Sequence, residues 1–383
     1  MTFIDTLSRI SRSPLVDTTA LLGIGLATPP ALDQQHITEH AAAVCCETDE
    51  QRALLRRIFG NAGVHRRGSI LEQRELTTDN EGMRSFFHAP TSTDDRGPTT
   101  AARMQRYAIG APLLAADACN RAIVAASITT NEITHLIVVS CTGFMSPGVD
   151  AALIASLGLS PSVQRTIVGF MGCHAAFNAL NVAGAIVARQ PDAKVLVCCV
   201  ELCTLHFAYG ADATNMVSNS LFGDGAAATI VGRAGTAESP GIWRLKQFAS
   251  QLLPDTKQAM TWRIGDHGFE MFLAAGVPRA IEDHLQPWCD DWLNDEGLSI
   301  ADVASWAIHP GGPRIVDAAV RSLKIDPAHA QPSRDILANH GNMSSATILF
   351  VLAELAKRNA HGPCVALGFG PGLMFEGMLL ERH

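Results

Sequence analysis

The chain has 383 residues, 47% of them apolar and only 17% charged, with a formal net charge of −8. Such a composition buries a large core, as two domains or one large duplicated one, and excludes a disordered or fibrous chain. The acidic balance argues against a nucleic-acid surface and gives no basic membrane-binding face, and no apolar run approaches the length that crosses a bilayer.

Met1–Leu22 mixes Asp, Ser, Arg and Thr among its apolar residues and has no signal-peptide core, so the expected location is cytoplasmic. Residues up to about 95 are polar and Arg-rich with two helical segments. Within Ala41–Phe59, Leu54, Leu55, Ile58 and Phe59 recur at helical spacing beside Arg56 and Arg57. A long amphipathic helix is expected over Thr99–Ile128. Strands and helices then alternate: strand His135–Ser140, a helix from Asp150 to Leu157, strand Thr166–Gly169, strand Lys194–Val200 and strand Gly225–Val231. Gly232-Arg233-Ala234-Gly235 followed by Ser239-Pro240-Gly241 marks a boundary, dividing the chain into halves 1–234 and 235–383. In the second half Ala304–Ile308 reads as a strand, Arg314–Leu323 as a helix, Ile336–Ala338 as a short strand and Ser344–Arg358 as a helix. Cys364–Leu367 reads as a last strand. The alternation predicts an α/β fold with central sheets buried on both faces.

Ten cysteines, at 45, 46, 119, 141, 173, 198, 199, 203, 289 and 364, include no Cys-x-x-Cys pair and no zinc spacing. A chain of this length needs no disulfide staples, so most read as reduced core cysteines and no structural metal is expected.

Cys173 stands apart. The run Thr166-Ile167-Val168 is followed by Gly169, Gly172 and Cys173, then by an Ala-rich segment to about Arg189. That is strand, tight turn and helix, with a thiol at the first helical position, where unpaired N–H groups favour thiolate. A small apolar residue packed in a turn fits this stretch equally well.

Two further stretches carry chemistry. Trp306-Ala307-Ile308-His309-Pro310-Gly311-Gly312-Pro313 ends an apolar strand in a histidine. Asn339-His340-Gly341-Asn342-Met343-Ser344-Ser345 places an amide before a helix. Alone, His309 reads as readily as a core histidine and Asn342 as a helix cap. A Cys with a distant His and Asn is also a nucleophile pattern whose members meet only in space.

Taken together with Leu221-Phe222-Gly223-Asp224-Gly225-Ala226 and the closing Gly368-Phe369-Gly370-Pro371-Gly372-Leu373-Met374, these motifs resemble the type III polyketide synthases, the chalcone and stilbene synthase superfamily. The resemblance runs from about Arg56 to the C-terminus. It implies a thiolase-like, duplicated five-layer α-β-α-β-α fold with mixed sheets, acting as a homodimer on acyl-CoA and malonyl-CoA without a resident cofactor. Carried over residue by residue, it assigns Cys173 as nucleophile, held as thiolate by His309, and makes His309 and Asn342 a donor pair for the enolate oxygen of decarboxylating malonyl-CoA. Phe222 matches the family's aromatic gate. His174, next to Cys173, is set aside because neighbours on a helix point about 100° apart.

Arg56, Arg57 and Arg314 are the candidates for CoA phosphates; two other basic family positions are occupied here by Phe59 and Gly63. Cys141, Cys203, His206, Trp262, Met271 and Ser344 fall along the family's substrate cavity. Trp262 and Met271 stand where plant chalcone synthases have Gly and Phe, and Ser146 replaces a Met that enters the partner's cavity, with the Cys141–Pro147 loop at the interface. A Cys- and Met-lined wall suits a flexible apolar chain better than a hydroxylated ring, so the expected products are alkylpyrones or alkylresorcinols from fatty acyl starters. Two rivals remain: a single-step ketoacyl synthase, whose histidine stretch normally continues Gln-Ala-Asn, and a non-catalytic partner subunit, which usually lacks the nucleophile.

Overall fold

The structure, a computed structural model, describes residues 18–72, 82–235 and 241–383. The N-terminal part of Met1–Leu22 and the Ser239-Pro240 portion of the expected boundary lie outside the described residues.

Nine strands form one mixed sheet, in the order Ser305–Ile308, Cys364–Gly370, Met374–Glu381, Trp243–Leu252, Thr19–Ala27, Asp224–Arg233, Val195–Leu202, His135–Ser140 and Gln164–Gly169. Outward from the middle, each side repeats the same pairing series of antiparallel, antiparallel, then parallel. The two sides join only where Ala20 faces Arg244 and Leu21 faces Trp243. The sheet is therefore two copies of one motif, hinged along a short seam.

Helices Ala175–Arg189 and Thr347–Lys357 fill the space between the two sides. Both are apolar around most of their circumference, which a helix covered by sheet on each face requires. Phe177, Leu180, Val187, Ile348, Val351 and Leu352 lie in one core with Val197, Ala227, Ala366 and Met378. Helix Thr100–Ala125 covers the outer face of the first side, and Val277–Asn294 with Pro313–Leu323 that of the second. The result is the five-layer arrangement of a thiolase-like fold. Thr100–Ala125 is long and apolar enough to cross a membrane by composition, but Tyr107, Ala111, Ala115, Ala118 and Ala122 are packed in the core with Leu196, Ala228 and Ile230.

Several local expectations change. Ile336–Ala338 is not a strand but part of helix Gln331–His340, where Pro332, Ser333, Ile336 and Leu337 share the buried face; a short apolar run does not distinguish the two periods. Ala41–Phe59 is divided: Gln34–Cys45 ends, and Thr48 with Gln51 forms a capping box that starts Asp49–Gly60. Cys364–Gly370 is followed by a further strand, Met374–Glu381. Gln164–Gly169 is the sheet's edge rather than a strand buried on both faces, and leaves Ile167 56% exposed.

Outside the main sheet, Met260–Gly265 and Gly268–Leu273 make a hairpin. Its alternation places Met260, Trp262, Phe269, Met271 and Leu273 on one face, toward the interior. The turn is fastened by Gly268 N–H to Thr100 Oγ1 at 2.9 Å and Thr100 N–H to Asp266 O at 2.8 Å.

Candidate active site

Three elements bring the candidate catalytic residues together. Strand Gln164–Gly169 leads into the turn holding Cys173. The helix itself begins at Ala175 with His174 as its cap, so Cys173 lies just ahead of the first turn, not at its first position. Gly172 makes the approach possible: its φ is +85°, and a Cβ there would meet Pro371 Cδ at 2.3 Å. Strand Ser305–Ile308 delivers His309 at its end, where His309 N–H donates to Leu367 O at 2.8 Å. Asn342 follows helix Gln331–His340, and its backbone N–H donates to Leu221 O at 2.8 Å.

Cys173, His309 and Asn342 are all buried and line one pocket with Phe222, Leu221, Met271 and Phe369. Asn342 Nδ2 lies 3.9 Å from Cys173 Sγ. Its orientation is set by Ser344, whose N–H donates to Asn342 Oδ1 at 2.8 Å. Neither ring nitrogen of His309 has a protein hydrogen-bond partner. The expected thiolate–imidazolium contact is thus not made in this structure. Without that contact burial outweighs the expected lowering of the thiol and pushes Cys173 up to about 11. Burial, with His174 adding to it, pushes His309 down to about 3. Each charge alone is disfavoured here, and only proton transfer from one to the other, creating both at once, would offset the two penalties.

The cavity candidates gather around this group. Cys141, Cys203, Trp262, Met271 and Ser344 line a second pocket with Cys173 and Phe222. His206 lines a third with Cys203, Trp262, Phe269 and Met271, and Phe222 borders all three. Trp262 is fixed by its indole N–H, donating to Cys141 O at 2.7 Å. His206 is fixed on both sides: Nε2–H donates to Thr142 O at 2.6 Å and Nδ1 accepts from Phe269 N–H at 2.9 Å. Burial pushes His206 down to about 3, so it is a neutral pin between the 141–142 loop and the hairpin. Arg56, Arg57 and Arg314 are exposed and line none of these pockets. The helix carrying the first two packs on Ala213–Leu221, whose Val217, Ser218 and Leu221 form the pocket wall.

His174 does not line the pocket, although it and Cys173 both precede the helix proper; its Nδ1 pairs with Asn178 Oδ1 at 3.0 Å. Two residues escaped the sequence reading. Glu201 is fully buried and accepts from Cys141 N–H at 2.9 Å, Thr142 Oγ1 at 2.8 Å and Ser345 Oγ. Burial raises its carboxyl to about 7. Its signal was one charge inside the apolar strand Val195–Leu202. The other is Arg67, buried in the wall beside Phe222.

Comparisons with known proteins agree with this architecture. Residues 9–235 match the N-terminal domain of chalcone and stilbene synthases and 244–382 match their C-terminal domain. The chain is 34% identical, over 98% of its length and 94% of the relative's, to an alpha-pyrone synthesis polyketide synthase-like protein, Pks18, of Mycobacterium tuberculosis. It is 33% identical to 1,3,6,8-tetrahydroxynaphthalene synthase of Streptomyces peucetius, over 95% of this chain and 93% of that one. The crystal structure of PKS-I from the brown alga Ectocarpus siliculosus superposes with a TM-score of 0.88 at 28% identity, covering 98% of this chain and all of the other. These matches do not favour a ketoacyl synthase or an inactive subunit; the chain belongs to the chalcone and stilbene synthase family and is a type III polyketide synthase, a malonyl-CoA-dependent condensing acyltransferase.

Proposed function

We propose that Cys173 carries the growing chain, that His309 activates it and, with Asn342, stabilises the enolate, and that Phe222 separates the CoA approach from the cavity. One observation supports this reading above the rest: a nucleophile, an imidazole and an amide N–H, delivered by three distant segments, share one buried pocket with Phe222. The Cys173 thiol passes its proton to His309, and the thiolate displaces CoA from the starter thioester, CoA leaving as the thiol with that proton. Malonyl-CoA then loses carbon dioxide, and the electron pair left behind is held as an enolate by the imidazole and amide donors. That carbon attacks the Cys173 thioester, forming a C–C bond and releasing the thiolate for reloading.

The starter we assign is a fatty acyl-CoA and the product an alkylpyrone or alkylresorcinol. Cys141, Cys203, Met271 and Met260 give the wall polarizable, compliant surface, and one relative is named for alpha-pyrone synthesis. Arg56, Arg57 and Arg314 would take the CoA phosphates at the rim. The working unit is a homodimer built on the exposed edge strand Gln164–Gly169 and the Cys141–Pro147 loop. A reducing, cytoplasmic setting fits ten buried cysteines that all stand unpaired. Incubating the protein with malonyl-CoA and a panel of acyl-CoA starters, and weighing the products, tests the assignment. Long-chain starters extended and released as lactones or resorcinols are expected; preference for aromatic or short starters would overturn it.

A further inference from the structure

The gate and the oxyanion amide are one mechanical unit. Phe222 pairs with Asn342 across an isolated bridge, with Asn342 N–H donating to Leu221 O at 2.8 Å and Gly223 N–H to Asn342 O at 3.1 Å. A buried cation sits at this crossing. Arg67, 3% exposed, lies in the short strand Arg66–Gly68 and extends its guanidinium to the end of helix Ala213–Leu221. Nη1 donates to Phe222 O at 2.5 Å and Nη2 to Asn219 O at 2.6 Å, while Nε has no partner. Its electrostatic partner Asp224 is occupied by Ile70 N–H, Thr204 N–H and Thr204 Oγ1 at 2.7–2.8 Å. The carbonyls that Arg67 holds are those a helix leaves unsatisfied at its C-terminus, the negative end of its dipole. Two charge-assisted bonds in a rigid fork fix direction as well as distance.

Packing at the crossing leaves no slack. A Cβ on Gly223 would lie 2.4 Å from His340 O and 2.9 Å from Arg67 Cβ. The arginine stem is therefore wedged between the gate segment and the segment leading to Asn342.

We infer that Arg67 is a positioning residue for malonyl-CoA decarboxylation: by clamping the Phe222 and Asn219 carbonyls it sets the separation between the Phe222 ring and the Asn342 amide. The inference rests on the roles given to Phe222 and Asn342 above. Starter loading, which begins with attack by the Cys173 thiolate formed by proton transfer to His309, depends less on this separation than decarboxylation does.

The test compares the two half-reactions in the full-length enzyme. Loading is followed by intact-protein mass spectrometry of the Cys173 acyl-enzyme, and decarboxylation by conversion of malonyl-CoA to acetyl-CoA. With Arg67→Met, loading should stay near the wild-type rate while kcat for decarboxylation falls on the order of 100-fold, the effect of roughly 1 Å of misplacement. Arg67→Lys keeps a charged donor but not the fork, and should recover part of that loss. Wild-type decarboxylation in a folded Arg67→Met enzyme overturns the inference, and so do loading and decarboxylation falling in parallel. Should Arg67→Met not fold, Arg67→Lys decides alone: a selective fall in decarboxylation supports the clamp, and a parallel fall or none overturns it. A wild-type enzyme that loads starter but never decarboxylates malonyl-CoA would instead overturn the site assignment itself.

Discussion

Asn342 presents its nitrogen, not its oxygen, to Cys173, because Ser344 N–H already occupies Oδ1 at 2.8 Å and leaves Nδ2 3.9 Å from the sulfur. A donor fixed this way needs no reorganisation when negative charge develops near it. Replacing Asn342 by Ala should therefore lower kcat for malonyl-CoA decarboxylation about 100- to 1000-fold, the range for loss of one oxyanion donor. Stopped assays of acetyl-CoA release check this; a loss under about tenfold would remove Asn342 from the donor pair.

Cys173 and His309 are each neutral when considered alone, the thiol raised to about 11 and the imidazole lowered to about 3 by burial. The sign of the pH effect follows. A lone thiol with a raised value gains thiolate only as pH climbs, so in His309→Gln the alkylation of Cys173 by iodoacetamide should rise about tenfold per pH unit between roughly pH 6 and 9. With His309 present, proton transfer creates both charges together, and wild-type alkylation should be faster and flatter over the same interval. Coincident profiles for the two proteins would mean that the pair does not form.

Glu201 supplies a stability prediction. Its folded-state value of about 7 lies above a glutamate's ordinary value of about 4.5, because burial penalises the carboxylate more than three hydrogen bonds support it. The folded chain thus binds this proton more tightly than the unfolded chain does. The resulting stabilisation is fully present below about pH 4.5 and is lost as pH rises through about 7, on the order of 3 kcal/mol at most. Glu201→Gln removes the titration while keeping the shape. Melting curves should show wild type losing stability relative to the variant from about pH 5 to pH 8; parallel curves would show that Glu201 keeps an ordinary value.

The candidate catalytic constellation was legible in the sequence because its residues sit in short, glycine-marked motifs at element ends. Cys173, His309 and Asn342 could be named without knowing how the sheets pair. The fold was legible where periodicity was long, as in Thr100–Ala125. It was lost where one apolar run serves either period: Ile336–Leu337 packs through a helical face. The hairpin at Met260–Leu273 was missed although apolar residues alternate on both sides of Gly265-Asp266-His267-Gly268. Arg67 could not have been found. Arg66 and Arg67 are identical in sequence, and only the tertiary crossing at Phe222 buries one and leaves the other exposed.

Trp262 divides the space on either side of Phe222, its ring held by the bond to Cys141 O at 2.7 Å. Trp262→Ala removes both the bulk and the tether, joining the pocket of Cys173 to that of His206. Products should shift to higher mass by whole malonyl-derived units with the same starter. An unchanged product distribution would show that another wall limits elongation.

The edge strand Gln164–Gly169 ends the sheet with unpaired backbone groups, and beside it Ile167 and Phe144 are 56% and 57% exposed. Exposed apolar edges of this kind are covered in stable proteins. Phe144 and Phe170 both pack on Phe269, with ring centroids 6.1 and 5.4 Å away, and Phe269 stacks on His206 at 4.1 Å. The exposed face is thereby continuous with the cavity wall, so a partner covering it would also brace the turn that carries Cys173. Ile167→Lys places a charge in that contact. Sedimentation should show wild type as a dimer and the variant as a monomer with impaired condensation. A wild-type monomer at micromolar concentration would sink the dimer, and a monomeric variant of full activity would sever the link between the interface and the site.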